Sequence, residues 1–301
     1  VSNLSFTADG QLAVDLPPLI DIPVPFIIEL PPFGDFSDNV FESMAIAADD
    51  MGTFFVIDAK LISERLKKYS NWLAPSMAAE DIDKYADIIK NARCVELKDG
   101  PNVMQGVEKI KNINSGIIII VRLVLGKESE ERIVELASQG AEVLLLEADL
   151  HGDIAIGDEK VFIKDFFRKT HNRLVAANIR DRVTLLASGG ISMAEHMAKI
   201  IINGADGVAL GMPFLVAIEC RMCRNCENGM ECPVEMAKID PEYGSARIKN
   251  LSAAWRNQLL EVLGAMGIRE VRRLRGEFGR AMFREDLERE AFIKLFSKKV
   301  S

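Results

Sequence analysis

The stretch Glu219–Val234 reads ECRMCRNCENGMECPV and holds four of the chain's five cysteines, Cys220, Cys223, Cys226 and Cys232, in the order C-x2-C-x2-C-x5-C-P. Thiolates are soft anionic ligands, and a short loop that delivers three or four of them can wrap an inorganic iron–sulfur core. The run repeats the first spacings and the proline of a bacterial ferredoxin motif, with a longer last gap. Zinc is the rival ligand, although structural zinc sites more often pair two knuckles separated by a dozen or more residues. Free thiols are the third reading. Cys94 stands apart in an apolar run and reads as a small buried hydrophobe.

Other residues could hold an anion. Ala187-Ser188-Gly189-Gly190-Ile191-Ser192 and Ala209-Leu210-Gly211-Met212-Pro213 each end an apolar run in a glycine turn that opens a helix. Backbone amides at such turns cradle phosphate, although a tight turn alone also explains glycine there. Lys98 in CVELK and Arg122 in IIIIVRLV lie at the ends of apolar runs, where a cation needs an opposite charge or must snorkel out. Both are candidates to meet an anionic cofactor. Glu147, Asp149 and His151 in LEADLHG are weaker candidates for acid–base groups, since polar loop residues are usually just solvated.

The elements that must position these groups follow from periodicity. Eight short apolar runs, at 25–30, 53–58, 71–76, 94–98, 117–124, 143–148, 183–189 and 207–212, alternate with segments such as NVFESMAIAADDM, SEERIVELASQ, FIKDFFRKTHNRLVAAN and MAEHMAKIIIN, whose apolar residues recur three and four apart. Eight βα units in this length predict an α/β fold, a (β/α)8 TIM barrel, in preference to an open doubly wound sheet. Residues 1–24 are expected to form a hairpin or plug, 25–218 the barrel, 219–240 the iron–sulfur loop and 241–301 a C-terminal helical extension with two helices. In a phosphate-binding barrel the anion sits beyond strands seven and eight, which is where both glycine turns fall.

Composition narrows the class. The chain is 49% hydrophobic and 27% charged, and no apolar run approaches the ~20 residues of a membrane span. The first residues, VSNLSFTADGQLAVDL, contain neither a basic start nor an apolar leader run, so a cytoplasmic setting without disulfides is expected. Net charge is −8, yet from Tyr243 onward there are 13 Lys/Arg against 7 Asp/Glu. That tail reads either as a solvated amphipathic helix or as a docking surface for an acidic partner. With two Trp and three Tyr, and basic residues interleaved with acids, nucleic acid is not an expected ligand.

These residues resemble a known family, the flavin-binding barrel domain of glutamate synthase and its archaeal-type stand-alone relatives. PPFGDFS, KNARCVELKDGPNVMQG, IIIIVRLV, LLASGGIS and GADGVALGMPF are similar to its strands and cofactor loops, and AWRNQLLEVLGAMGIREVRRLRGEFGRAMF to its C-terminal segment. The resemblance implies that Ser188, Gly189, Gly190 and Gly211 hold the FMN phosphate and that Lys98 and Arg122 lie near the flavin ring. It matches Cys220, Cys226 and Cys232 to the ligands of a [3Fe-4S] cluster, with one extra residue in the last gap. Cys223 is an addition, which implies [4Fe-4S] in this chain. The loop after strand six, LEADLHGDIAIGDEK, and the turn after strand four, KDGPNVMQG, are poorer in glycine than the family's, and no amidotransferase is encoded. Glutamate synthesis by this chain alone is therefore not expected. Electron transfer between FMN and the cluster within a complex of redox subunits is. A flavin-less scaffold, a zinc-containing barrel enzyme acting on a phosphorylated substrate and a homo-oligomer remain open.

Overall fold

A computed structural model describes residues 7–9, 19–31, 33, 34 and 36–277. In chain order the strands are β1 (Phe26–Glu29), β2 (Phe55–Asp58), β3 (Leu73–Met77), β4 (Cys94–Lys98), β5 (Ile118–Val124), β6 (Val143–Glu147), β7 (Asp153–Ile156), β8 (Glu159–Phe162), β9 (Thr184–Ser188) and β10 (Gly207–Leu210). The α-helices are α1 (Asp38–Met51), α2 (Ala86–Asn91), α3 (Val103–Ile113), α4 (Ser129–Ser138), α5 (Ile163–Ala176), α6 (Ala194–Ile202), α7 (Met212–Ala217) and α8 (Pro241–Ala265). Eight strands close a parallel barrel in the order β1-β10-β9-β6-β5-β4-β3-β2. This is the TIM barrel the alternation predicts. Barrel strands are buried on both faces, so they read as unbroken apolar runs, and all eight runs became strands.

The barrel interior takes one residue from each strand. Ile27, Val56, Ala74, Cys94, Ile120, Leu145, Leu186 and Ala209 form a buried cluster together with Phe54, which immediately precedes β2. Cys94 is among them, fully buried, and desolvation pushes its thiol well above the ordinary range. Ile20 and Ile22 pack on this cluster beside Trp72, Ile118 and Val143, which lie at or just before strand starts, so the segment ahead of β1 covers the barrel floor. The hairpin expected earlier in the N-terminus falls mostly outside the described residues.

Between β6 and α5 the chain forms an antiparallel hairpin, β7–β8, with Asp153 opposite Phe162 and Ile156 opposite Glu159. Its two-residue turn is Gly157-Asp158, and Gly157 has φ 66°. The long helix α8 packs against α1 and α6, so it stands in the ring of helices around the barrel. Its inward stripe is Ser245, Ile248, Ser252, Trp255, Leu259 and Leu263, three and four apart, with Gly244 buried beside the first. The second C-terminal helix expected around 278–296 lies outside the described residues. No helix among the described residues is long and apolar enough to cross a membrane.

Candidate functional site

Two residues beyond the apolar interior layer, each strand presents its next inward position: Glu29, Asp58, Ser76, Glu96, Arg122, Glu147, Ser188 and Gly211. The strand alternation that keeps the barrel centre apolar thus turns polar at the carboxyl-terminal mouth. Arg122 organises this layer. Its guanidinium reaches Glu29 at 2.7 Å, Glu96 at 2.9 Å and Glu147 at 3.0 Å. Ser188 Oγ donates to Glu29 at 2.5 Å and Ser76 Oγ to Glu96 at 2.7 Å. Burial raises the Glu29 pKa, with Arg122 and Ser188 opposing it. For Arg122 burial is outweighed by Glu96, Glu29 and Glu147, which hold its pKa above the ordinary range.

The structure brings Arg122, Glu147 and Ser188 together, but in a network closed on itself. Arg122 is therefore not a free cation awaiting a ring. Glu29 and Glu96 were missed by sequence reasoning. The available signal was an acid at the inward parity of an apolar strand, as in FIIE and CVELK, which a closed barrel must pair with a cation. Lys98 lies further up, half-exposed, with Asp58 at 3.8 Å. Asp149 is engaged with its own loop. Its carboxylate accepts the amides of His151 and Asp153, each at 2.8 Å, and so shapes the turn into the hairpin. His151 is exposed.

The glycine turn after β9 packs on that same loop. Gly189 (φ 94°) and Gly190 (φ 68°) have left-handed backbone. A Cβ on Gly189 would sit 2.5 Å from the Ala148 carbonyl oxygen, and one on Gly190 2.6 Å from Gly152 Cα. Loop packing thus accounts for both glycines without a ligand. The amides of Gly189, Gly190 and Ile191 donate to no protein acceptor among the described residues. Three successive unpaired amides ahead of α6 fit an anion. Gly211 N-caps α7, and a Cβ there would meet the Glu29 carbonyl oxygen at 2.8 Å.

The cysteine loop leaves the end of α7 and returns to α8. Cys220, Cys223, Cys226 and Cys232 line one cavity of about 100 Å³ with Phe33, Phe36, Ser37, Val234 and Met236. The thiols are close enough to sense one another. The Cys220 pKa is raised first by burial and further by Cys226, Cys232 and Cys223, against the lowering effect of the Met222 amide. Cys223 is exposed, whereas the other three are half-buried. Gly34 (φ 87°) lets the β1–α1 loop approach Cys226; a Cβ there would lie 3.1 Å from the sulfur.

Backbone strain concentrates in this loop. Glu219 (φ 79°), Met222 (57°), Arg224 (60°) and Glu235 (45°) are four of the five left-handed non-glycine residues among those described. Each costs on the order of 1–2 kcal/mol, and such strain persists where surroundings over-determine it. Some of that holding is visible. Arg224 stacks on Phe33, 5.0 Å from the ring centroid. Tyr243 Oη donates to Glu219 at 2.7 Å, Arg247 to the Ala217 carbonyl at 3.0 Å, and Asn39 to the Ala237 carbonyl at 3.2 Å. Among the described residues no three His, Cys, Asp or Glu side chains converge closely enough to hold a single metal ion. The donor set fits a group larger than one ion, with thiols spread around a cavity.

A family model described as the conserved region in glutamate synthase matches residues 77–269, from β3 through the cysteine loop and α8. The chain belongs to the glutamate synthase family. It is 25% identical to the archaeal glutamate synthase [NADPH] of Archaeoglobus fulgidus over 328 residues, which is 89% of this chain and 64% of that protein. The chain therefore spans somewhat under two thirds of that relative's length. Identity rises to 37% over 111 residues with the corresponding protein of Methanocaldococcus jannaschii, covering 35% of this chain and 22% of the relative. Among solved structures, a flavocytochrome b2 mutant with pyruvate bound superposes with TM-score 0.59 at 16% identity, over 84% of this chain and 68% of that one. A mandelate oxidase mutant with an FMN adduct gives 0.57 at 15%, over 87% and 82%. At these identities the likeness is one of fold, and it agrees with the closed barrel.

Proposed function

We propose that this glutamate synthase-family barrel is an electron-transferring oxidoreductase subunit, with an iron–sulfur cluster on Cys220, Cys223, Cys226 and Cys232 and FMN at the barrel mouth. One observation carries the reading: four thiols line a single cavity on the loop that directly follows the last barrel strand and α7. Thiols arranged around a cavity of about 100 Å³ suit a multi-atom inorganic core. A lone zinc would draw all four sulfurs to about 3.8 Å from one another, given Zn–S bonds of about 2.3 Å.

The flavin half rests on the unpaired amides of Gly189, Gly190 and Ile191, which would hold the phosphate, and on the family's relatives. Lys98 is the cation left to face the anionic side of a ring, because Arg122 is held by its three glutamates. A flavin takes two electrons and gives them up singly, and a cluster carries one at a time. The chain's own part is to bind both groups on adjacent elements, β9–α6 and α7–α8, and to shield the cavity with Phe33, Phe36 and Met236. The electron donor and acceptor would be other subunits.

A second reading is a flavin-less scaffold that presents the cluster, favoured by the self-satisfied acidic layer at the mouth. Anaerobic purification of the full chain followed by iron, sulfide and flavin quantitation separates the readings. Iron and sulfide in equal amounts with flavin near one per chain supports the first, and iron without flavin the second. Zinc, or no metal, would sink both. Replacing Cys226 by Ser should strip the iron, since ligand bonding is part of the loop's folding energy.

A further inference from the structure

Ser37 stands at the N-cap of α1 with the extended backbone of a capping residue, φ −80° and ψ 163°, yet its side chain makes no cap hydrogen bond. A serine there normally accepts from an amide of the first turn. Its carbonyl does serve the helix, receiving Val40 N at 3.0 Å and Phe41 N at 3.1 Å. The hydroxyl does not. It is one of three buried hydroxyls without a partner among the described residues, with Ser63 and Thr170, and the one that lines the cysteine cavity. Around it the wall is Phe33, Phe36, Val234 and Met236, none of which can accept a proton through its side chain as an oxygen would. The rest of the wall is the four cysteines together with Arg221, Met222, Arg224, Asn225, Pro233 and Ala237, of which Asn225 alone carries a side-chain oxygen.

Position holds the hydroxyl there. The loop ahead of Ser37 approaches Cys226 at Gly34, and Asn39, two residues on, bonds to the Ala237 carbonyl on the loop's far side. An N–H···S contact of the same kind is already formed, with the Met222 amide 3.5 Å from Cys220 Sγ. Sulfur that carries added negative charge accepts hydrogen bonds more strongly, so donors to it favour the reduced state.

We propose that Ser37 Oγ–H donates to the sulfurs held in this cavity and raises the reduction potential of the cluster proposed there. Ser37 is thus a positioning residue acting through the ligands, and the inference rests on the reading of the loop as a cluster site. Chains bearing Ser37→Ala and Ser37→Thr, purified anaerobically at full length, test it by iron content, thermal stability and midpoint potential in an EPR-monitored titration. Ser37→Ala is expected to keep its iron and its melting temperature, since no cap bond is lost, while the midpoint moves to more negative potential. Ser37→Thr, which keeps a hydroxyl, should titrate as the wild type does. An unmoved potential in iron-replete Ser37→Ala overturns the inference alone. A lowered melting temperature with no shift would instead assign the hydroxyl to the helix. If Ser37→Ala assembles no cluster, Ser37→Gly, which also lacks the hydroxyl and is tolerated at an N-cap, is read by the same criterion. Wild-type protein without iron overturns the cluster reading itself, and this one with it.

Discussion

The four thiols are not equivalent. Cys220 and Cys232 pack against the main core, Cys226 sits under Gly34, and Cys223 faces solvent. Removing Cys223 therefore leaves the packed three in place. Cys223→Ser is expected to retain a [3Fe-4S] cluster, read by EPR and iron per chain, whereas Cys226→Ser should retain little iron. Arg122 has the opposite character, because it neutralises carboxylates rather than binding anything from outside. Arg122→Met would leave three carboxylates at the mouth without their cation and should cost about 3–5 kcal/mol in denaturant unfolding. Glu29 gives the sign of the pH dependence. Its pKa is raised from the ordinary 4.5, chiefly by burial, so its favourable contribution is full below that value and is lost as pH rises through the folded pKa. Glu29→Gln, still supported by Glu96 and Glu147 around Arg122, should melt higher than the wild type at neutral pH. The gap should close as the pH falls toward 4.5; a gap that widens on acidification would refute the assignment.

At the scale of elements, the turn after β9, the loop after β6 and the hairpin β7–β8 form one packed unit. The Ala148 amide donates to the Ser188 carbonyl at 2.9 Å, and the Gly152 carbonyl accepts from Ile163 at 2.8 Å, so both ends of the hairpin are tied down. Gly189→Val forces a side chain toward the carbonyl oxygens of Ala148 and Asp149, 2.5 and 2.6 Å from the new Cβ. Left-handed strain alone adds about 1–3 kcal/mol. The expected outcome is a lower melting temperature and loss of flavin with iron retained, since the cysteine loop hangs from α7 and α8. Loss of iron in step with flavin would mean that the two sites do not sit on separable elements. A sequence reader could have found the hairpin: Gly157-Asp158 between DIAI and EKVF is a two-residue turn flanked by alternating residues.

At the scale of the whole molecule, α8 couples the barrel to the cysteine loop. It lies along α1, where a Cβ on Gly244 would meet Ser43 Oγ at 2.3 Å, and Lys249 reaches Asp50 at 2.5 Å. Its first turn also anchors the loop, through Asp240 capping Tyr243 N at 2.9 Å and through Tyr243 and Arg247 on the loop's outgoing end. Gly244→Val should push α8 away from α1, lowering both the melting temperature and the iron content. Full iron in a destabilised Gly244→Val chain would show that the loop is held without α8.

Local chemistry was legible from the chain alone. Eight parallel strands buried on both faces leave eight apolar runs, crossover helices leave a 3.6-residue rhythm, and crowded cysteines leave their spacing; each signal lies within a window of some twenty residues. The partners of Arg122 lie outside any such window. Glu96 and Glu147 come from β4 and β6, the strands that flank β5, but Glu29 is 93 positions away in sequence, and only closure of β1 against β10 brings it to the same guanidinium. The same closure completes the set of three carboxylates around Arg122. The orphaned hydroxyl of Ser37 likewise belongs to a residue that lines one cavity with cysteines nearly two hundred residues downstream, joined to it by packing that no local pattern encodes.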